Sequence, residues 1–286
     1  MTALDRWRMR AICGRKRLVG NPSVAAIHAG MIDMESNTTL VQCFPAHQAV
    51  PDGDGPFPAV LVLHDRFGLS PHARNVTNRL AHAGFYALAP DLYSAPASYS
   101  GAAPDFMRLT KSTCFAYSEP VAARDRAVTL TDERACAIVR QAIAFIAGRS
   151  KARSGGVAVL GFSMGGRLAF LSACMFPEDI RAAVCFYPEG LTKARPSAAG
   201  AMAPLERASA LTASVLIFYG LLDMEIRPEE REAVQQRLAG TGKDFHIEVF
   251  REAGHDFFCE ERETYRIRAC RTAWQETLSL FHRRLS

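Results

Sequence analysis

The chain has 286 residues, of which 49% are hydrophobic and 22% charged, and its mean hydropathy is −0.02. This composition suits one ordinary domain or two small ones, and no apolar run is long enough to predict a membrane-spanning helix. The net charge of +5 is confined to the first 20 residues, and the rest is neutral with 28 basic and 28 acidic side chains, so a nucleic-acid-binding surface over the fold is not predicted.

Residues 1–30 are basic and lack the apolar stretch that a secretory signal peptide requires. We expect them to form a flexible segment or a transit peptide, with Met31 or Met34 as an alternative start, and one domain to span 31–286. The eight cysteines show no CxxC pair and no metal-ligand spacing. They predict reduced thiols in a cytoplasmic protein.

Strand-like and helix-like patterns alternate from about residue 40. Apolar runs predict buried strands over 58–65, 86–92, 156–162, 181–188, 214–220 and 245–252. Apolar residues spaced three and four apart predict helices over 70–85, 131–148, 165–176, 228–240 and 263–284. The Ala-rich stretch 192–212 is predicted to be partly helical. This alternation favours an α/β fold with a mostly parallel sheet and helices on both of its faces.

The segment 93–120 carries Ser, Ala, Pro and Gly with no clear period, which predicts a long connection. Loops of this length often act as lids over active sites. We expect this segment to cover the active site with aromatic side chains drawn from Tyr93, Tyr99, Phe106, Phe115 and Tyr117.

The string Gly161-Phe162-Ser163-Met164-Gly165 matches G-x-S-x-G and stands between a predicted buried strand and a predicted helix. This is the context of a nucleophile elbow, a sharp turn that presents a serine hydroxyl. Glycines are needed there because neighbouring backbone comes too close for a Cβ atom, and the helix N-terminus favours developing negative charge. Ser163 is the predicted nucleophile, although a motif of five residues also arises by chance.

A serine nucleophile needs a base and an acid, which in such a fold follow it in the order Ser, acid, His. Asp223 comes soon after the predicted strand 214–220, and His255 comes soon after the predicted strand 245–252. We predict His255 as the general base and Asp223 as the acid that orients it. Glu225 is a rival acid, and a turn aspartate and a surface-loop histidine are the structural alternatives.

An oxyanion hole also needs a backbone donor from an early loop at a strand end. Residues 64–68 follow the first strong buried strand and supply such a loop. We predict that the N–H groups of Arg66 and Met164 face the same carbonyl oxygen. The alternative is that the early loop was selected only for its turn geometry.

Four segments, taken together, resemble the dienelactone hydrolase family. They are the run HDRFGLSPHARNVTNRLAHAGFYALAPDLY over 64–93, the elbow GFSMGG over 161–166, YGLLD over 219–223 and EAGHDFF over 252–258. The resemblance covers about residues 40–286. It implies an α/β-hydrolase fold with no large cap domain and a Cys–His–Asp triad.

One departure from the family concerns the nucleophile, which is cysteine in its best-known members and Ser163 here. Those members also carry an acidic residue in the early loop that interacts with the nucleophile, and Asp65 stands where a glutamate is typical. A serine must lose its proton to His255 as it attacks, whereas a thiolate can exist beforehand. The sequence therefore predicts a conventional serine esterase mechanism.

A second departure concerns the substrate. The resemblance implies arginines that hold a substrate carboxylate, but residues 94–96 and 256–259 contain none. Because a guanidinium is the natural partner of a carboxylate, their absence favours an uncharged ester or lactone. Aromatic residues that suit an apolar acyl group, unless they belong to the core, are Phe67, Tyr187, Phe257 and Phe258, with Asp65 beside them.

The prediction is a serine hydrolase that cleaves a small carboxylic ester or lactone through an acyl-enzyme, without metal or organic cofactor. Acyl transfer or peptide cleavage on the same triad stays open. A non-catalytic interaction protein is also open, because fold does not imply function, but an intact Ser, Asp and His speak against it. A haloalkane dehalogenase is disfavoured because its nucleophile would be an aspartate. The sequence does not indicate an oligomeric state.

Overall fold

An eight-stranded sheet lies at the centre of the computed structural model, which describes residues 38–41, 44–94, 114–195 and 202–286. All of these residues fall within one compact unit, Ser36–Ser286. The segment 1–30 lies outside the described residues, as do Tyr99 and Phe106 of the predicted lid. The predicted domain boundary near residue 31 therefore stays a prediction.

The strands follow the chain as β1 Thr38–Val41, β2 Phe44–Ala49, β3 Phe57–Leu63, β4 Tyr86–Pro90, β5 Ala152–Phe162, β6 Ile180–Phe186, β7 Ser214–Gly220 and β8 Phe245–Phe250. Their order across the sheet is β1-β2-β4-β3-β5-β6-β7-β8. The pairs β1–β2 and β2–β4 are antiparallel, and every other neighbouring pair is parallel. The loops after β3, β5, β6, β7 and β8 therefore lie together at the carboxyl ends of the strands, where open α/β sheets bind ligands.

The helices are α1 Pro71–His82, α2 Pro120–Val128, α3 Asp132–Ala147, α4 Met164–Met175, α5 Pro228–Ala239 and α6 Ile267–Leu285, with a 3₁₀ helix over Pro204–Ala210. Side-chain caps fix two of their starts. Ser70 accepts a hydrogen bond from the N–H of Ala73, and Thr131 accepts one from the N–H of Arg134. No helix in the described ranges combines the length and apolar character needed to cross a membrane.

Helices cover both faces of the sheet in two groups. Helices α1 and α6 contact each other through Arg79, whose guanidinium lies 4.4 Å from the ring centroid of Trp274. Helices α3 and α4 contact each other through the buried Arg167, which donates to Asp132 at 2.9 Å. Strands β3 to β7 between the two layers are almost entirely apolar, as fully buried parallel strands are. The predicted α/β architecture is confirmed.

Strand β3 ends two residues earlier than predicted, at Leu63. His64 leaves the sheet because its side chain joins two loops. Its Nε2 accepts a hydrogen bond from the N–H of Leu92 at 3.0 Å, so its Nδ1 carries the proton donated to the carbonyl of Asp65 at 2.7 Å. The bond holds the loop after β3 against the loop after β4.

Three elements were not predicted individually. Strands β1 and β2 form the antiparallel edge, and helix α2 begins at the end of the predicted loop 93–120. Helix α2 buries only Ala123 and Ala127, which are too small to produce a visible apolar period. The Ala-rich stretch contains only the short 3₁₀ helix within its described part, and the last helix starts at Ile267 rather than 263.

Candidate active site

Ser163 lies in the sharp turn between β5 and α4 with φ 51° and ψ −113°. This left-handed backbone is uncommon for a residue with a side chain and is typical of a strained functional turn. A Cβ atom on Gly161 would overlap the carbonyl of Gly165, and one on Gly165 would overlap the carbonyl of Leu63. The two glycines of the motif are thus required by close backbone approach, and the predicted elbow geometry is present.

The structure brings Ser163, His255 and Asp223 into one hydrogen-bonded chain. His255 Nε2 lies 2.9 Å from Ser163 Oγ, and His255 Nδ1 lies 2.8 Å from Asp223 Oδ2. An ionised carboxylate only accepts, so Nδ1 carries a proton and Nε2 of the neutral imidazole can accept from the serine hydroxyl. Ser163 is 1% exposed and His255 7%. These are the contacts of a nucleophile, a base and an orienting acid.

Asp223, rather than its rival Glu225, reaches the far side of the imidazole. The other carboxylate oxygen of Asp223 accepts from the N–H groups of Glu225 and Ile226 at 2.8 and 3.0 Å. These bonds fix the carboxylate in its loop after β7. Glu225 Oε2 instead lies 3.9 Å from His255 Nε2, on the side of the serine. The two acids therefore face opposite nitrogens.

His255 has an unusually basic imidazole. Burial by itself lowers its pKa, but the hydrogen bond to Asp223 and the negative charges of Asp256, Asp223 and Glu225 outweigh burial and raise the pKa to about 9. Asp256 Oδ1 lies 3.8 Å from His255 Nε2. The imidazolium that forms when His255 takes a proton is thus strongly favoured.

Arg66 and Met164, the two predicted oxyanion donors, are linked by one side chain. The hydroxyl of Tyr93 donates to the carbonyl of Arg66 at 2.7 Å and lies 4.0 Å from the sulfur of Met164. The carbonyl of Tyr93 in turn accepts from Arg126 and Arg134 at 2.7 and 2.9 Å. Within the described chain, neither the Arg66 nor the Met164 amide has a hydrogen-bond acceptor. Neither N–H donor is therefore used within the described ranges.

Asp65 lies buried in the loop after β3, where its Oδ1 accepts from the N–H of Phe67 at 2.8 Å. Burial and the negative charge of Asp256 raise its pKa to about 6, although the bond from Phe67 and the nearby Arg66 act in the opposite direction. The ionised carboxylate of Asp65 at neutral pH is therefore energetically unfavourable in the folded protein. Its predicted role in substrate binding stays a prediction.

Replacing Asp65 with asparagine is expected to stabilise the protein at pH 8 by about 1–3 kcal/mol, because each pKa unit corresponds to about 1.4 kcal/mol. Folding favours the protonated carboxyl, so the cost of ionising Asp65 is absent below pH 4 and complete once the pH passes about 6. Urea denaturation at pH 4.5 and pH 8 measures the difference. The exposed Asp54→Asn serves as the control. An Asp65→Asn variant no more stable than wild type at pH 8 would contradict this reading.

The aromatic residues predicted near the substrate divide into two groups. The Tyr187 ring lies 4.9 Å from the His255 ring, and the Phe67 ring lies 4.8 Å from that of Tyr117. Phe257 and Phe258 belong to a fully buried aromatic cluster with Phe162, Phe186 and Phe218, and the Tyr187 ring also packs on this cluster, 5.3 Å from that of Phe257. Phe257 and Phe258 therefore pack in the hydrophobic core, which is the alternative to a role in substrate binding. Phe67 and Tyr187 are also buried, but Tyr187 lies against His255 and Phe67 lies in the loop after β3.

The described end of the predicted lid lies on the loop after β3. Phe115 N–H donates to the carbonyl of Phe67 at 2.8 Å, and Tyr117 packs on the Phe67 ring. The guanidinium of Arg262 stands over both Phe67 and Tyr117, within 5.2 and 5.1 Å of their centroids. Whether the segment covers the site stays a prediction.

Four charged residues near the site form two ion pairs that the sequence analysis does not predict. Asp256 follows His255 directly, has φ 58° and pairs with Arg262 at 3.0 Å. Arg66 Nη2 donates to both carboxylate oxygens of Glu225, at 2.6 and 2.7 Å. Adjacency to His255 was a usable signal for Asp256. The pair Arg66–Glu225 is separated by 159 residues and left no sequence signal.

The site also contains groups that could approach a metal ion. Glu189, Glu225 and His255 offer ligand atoms that lie within 4.8 Å of one another. The carboxylate of Glu225, however, already accepts from the Arg66 guanidinium, whose positive charge opposes a cation at that place. Exposed acidic groups commonly meet without a metal, and we assign none here.

Comparison with known proteins shows the family and the relatives of this chain. The model of the dienelactone hydrolase family matches residues 44–285. A Methylorubrum extorquens protein with the provisional name carboxymethylenebutenolidase is 32% identical over 237 residues, which are 83% of this chain and 76% of that protein. A Bradyrhizobium protein with the provisional name 2-oxo-3-(5-oxofuran-2-ylidene)propanoate lactonase is 28% identical over 237 residues, 82% of this chain and 86% of its own.

A solved structure shows the same fold. The crystal structure of a provisionally named dienelactone hydrolase from Klebsiella pneumoniae is 29% identical, with a TM-score of 0.67. The alignment covers 83% of this chain and 92% of that one. The family match over residues 44–285 includes strands β2 to β8 and the positions of Ser163, Asp223 and His255.

Proposed function

Because the chain belongs to the dienelactone hydrolase family, we propose that it hydrolyses small carboxylic esters or lactones through an acyl-enzyme on Ser163. The observation that carries the proposal is the position of His255, in hydrogen-bond contact with Ser163 on one side and Asp223 on the other. The names of the two curated relatives, a carboxymethylenebutenolidase and a lactonase, support the same reaction class.

The first half of the reaction forms the acyl-enzyme. Ser163 Oγ attacks the carbonyl carbon while its proton passes to His255 Nε2, and the carbonyl becomes a tetrahedral oxyanion. When the oxyanion collapses, the bond to the leaving alcohol breaks and the alcohol takes the proton from His255. In the second half, His255 removes a proton from water, which attacks the acyl carbon; the bond to Ser163 Oγ then breaks, Ser163 takes the proton back from His255, and the acid is released. Asp223 keeps the imidazole oriented and stabilises its positive form.

The oxyanion is stabilised by the amides of Arg66 and Met164. Met164 is the first residue of α4, so the helix dipole adds a positive end at the same place. Tyr93 supports this role because it holds the Arg66 carbonyl and thereby the direction of the adjoining peptide groups. Donors fixed in advance need no rearrangement when charge develops, which is the reason that they lower the barrier.

The pH dependence follows from the basic His255. Only the neutral imidazole accepts the serine proton, so kcat/KM is expected to rise about tenfold per pH unit below the pKa and to level off near pH 9. Initial rates on a neutral ester between pH 6 and 10, corrected for spontaneous hydrolysis, give the profile. Asp256→Asn is expected to move the midpoint to lower pH because it removes a negative charge near Nε2. A wild-type midpoint near 6.5 would contradict the account.

The proposed substrate is an uncharged ester or lactone. Positions 256–259 lack an arginine, and the aromatic ring of Tyr187 lies 4.9 Å from that of His255. The test is a panel of 4-nitrophenyl esters from acetate to octanoate beside a dienelactone. We expect turnover of the esters with a preferred acyl length and little turnover of the dienelactone. Efficient dienelactone turnover would overturn the substrate class, and no turnover of any compound would overturn the proposed reaction.

We further propose that the enzyme works in the cytoplasm. The six cysteines in the described ranges are all free, and Cys174, Cys185, Cys259 and Cys270 are buried. Free thiols persist in reducing compartments and are uncommon where disulfides form. Titration of the unfolded protein, prepared from its own cells without reductant, is expected to find these thiols reactive. Thiols found oxidised in disulfides would argue for another compartment.

A further inference from the structure

An ionic bridge crosses the site between two catalytic loops. Arg66 in the loop after β3 donates through Nη2 to both carboxylate oxygens of Glu225 in the loop after β7, at 2.6 and 2.7 Å. The Arg66 side chain is 13% exposed and that of Glu225 38%. The guanidinium is therefore mostly shielded, while the carboxylate still faces solvent.

The bridge lies directly beside the reacting atoms. Glu225 Oε2 stands 3.9 Å from His255 Nε2, and the same Nε2 contacts Ser163 Oγ at 2.9 Å. Arg66 also provides one of the proposed oxyanion amides. When the substrate carbonyl lies beside Ser163, the Glu225 carboxylate and the Arg66 guanidinium are therefore within a few ångströms of the scissile bond.

The negative partner stays ionised over the working pH range. Burial alone would raise the pKa of Glu225, but the positive charge of His255 and the hydrogen bond and charge of Arg66 hold that pKa below its usual value. The guanidinium of Arg66 is thus occupied by a carboxylate of its own chain. A carboxylate on the substrate would have to displace Glu225 and then remain close to it.

The second guanidinium near the site is occupied in the same way. Arg262 stands over the rings of Phe67 and Tyr117 and donates to Asp256 at 3.0 Å. Asp256 is itself 3.8 Å from His255 Nε2. An incoming anion therefore finds two arginines already neutralised, with their carboxylate partners placed next to the imidazole. Like charges at such distances in a partly shielded site repel strongly.

We propose that Glu225 is a specificity-determining residue: by occupying Arg66 at the mouth of the triad, it excludes esters that carry a carboxylate close to the scissile bond. This inference rests on the proposed ester hydrolysis and adds the charge of the substrate. A residue that rejects the wrong substrate by repulsion is a common source of specificity. Removing the carboxylate of Glu225 frees the guanidinium of Arg66, which then attracts the anions that the wild type rejects.

The test compares two substrates that differ in one charge, the mono-4-nitrophenyl ester of adipic acid and the same compound with its free carboxylate methylated. The measured quantity is the ratio of kcat/KM for the anionic ester to that for the neutral ester. Glu225→Gln is expected to raise this ratio at least about tenfold over wild type. Glu178→Gln, which removes an exposed carboxylate before β6 at the opposite edge of the sheet, is expected to leave the ratio unchanged.

A double variant assigns the gain to Arg66. In Arg66→Gln combined with Glu225→Gln, the increase is expected to be clearly smaller than in Glu225→Gln, because the repulsion by Glu225 is still removed but no free guanidinium remains to attract the anion. Should Glu225→Gln fail to fold, Glu225→Ala truncates the same half-exposed side chain and must show the same rise. An unchanged ratio in a folded Glu225 variant overturns the inference, and so does an equal rise in Glu178→Gln.

The outcomes also separate this inference from the proposed function. If the wild type hydrolyses the neutral ester but the ratio does not respond to Glu225, only the specificity role fails. If the wild type does not hydrolyse the neutral ester at all, the proposed ester hydrolysis fails, and the specificity role fails with it.

Discussion

Replacing Ser163 with alanine is expected to lower kcat/KM for 4-nitrophenyl butyrate by roughly four to six orders of magnitude, because no other group can form the acyl-enzyme. The residual rate should come only from binding and from the oxyanion amides. The fold should remain intact, since alanine keeps the Cβ atom and removes one oxygen from a buried turn. Steady-state kinetics with circular dichroism as a folding control measures both effects.

Ser172→Ala is the matched control for this experiment. Ser172 is also a buried serine on α4, about two and a half turns after Ser163, and has no hydrogen bond to His255 in the described ranges. Its replacement is expected to leave kcat/KM within a few fold of wild type. A Ser163→Ala variant that keeps more than a small fraction of wild-type activity would mean that another residue is the nucleophile.

Replacing Gly165 with alanine is expected to destabilise the protein by about 3 kcal/mol or more, or to prevent folding. A Cβ atom at this position would overlap the carbonyls of Leu63, at the end of strand β3, and of His64, the next residue, and these backbone atoms cannot rotate away. Either β3 or the start of α4 must move, and both carry parts of the site. Urea denaturation gives the loss of stability, and activity on the neutral ester is expected to fall with it.

Gly148→Ala is the matched control for Gly165→Ala. Gly148 caps α3 with φ −84°, and a Cβ atom there would make only ordinary contacts at 3.6 and 3.8 Å. Its replacement is expected to change the free energy of unfolding by less than about 1 kcal/mol. If Gly165→Ala unfolds at the same urea concentration as wild type, the close approach between β3 and α4 does not constrain the elbow.

The proximity of Ser163, Asp223 and His255 could be predicted from sequence because the topology does most of the positioning. Carboxyl ends of parallel strands share one edge of a sheet, so residues after β5, β7 and β8 must lie near one another. The motif around Ser163 indicates that the site lies at the carboxyl ends of the strands. Asp223 and His255 follow later strands and are therefore expected at the same place. The apolar runs of β3, β5, β6 and β7 were equally legible because they are buried on both faces.

The charged contacts between loops could not be predicted in the same way. Arg66 and Glu225 are 159 residues apart, and their contact depends on the path of two loops and on side-chain rotamers. The substrate prediction rests on the absence of arginine from only two stretches, 94–96 and 256–259. The structure adds that Arg66, in the loop after β3, has its guanidinium near the triad, but this guanidinium is already paired with Glu225.

The sequence also does not predict elements made mostly of small or polar residues. Strand β2 reads FPAHQA, with a proline and two polar residues, and pairs only antiparallel at the edge of the sheet. Helix α2 buries two alanines and therefore has almost no apolar stripe. In both cases pairing and packing with the rest of the fold, rather than local preference, determine the structure.

The most direct test of the account is covalent labelling of the nucleophile. Intact-protein and peptide mass spectrometry after incubation with a fluorophosphonate are expected to show one adduct per chain, on the peptide that contains Ser163, and no adduct in Ser163→Ala. His255→Gln should label far more slowly, because the serine then lacks its base. An adduct on another residue, such as the Cys259 thiol, with Ser163 unmodified in an active enzyme would contradict the central claim.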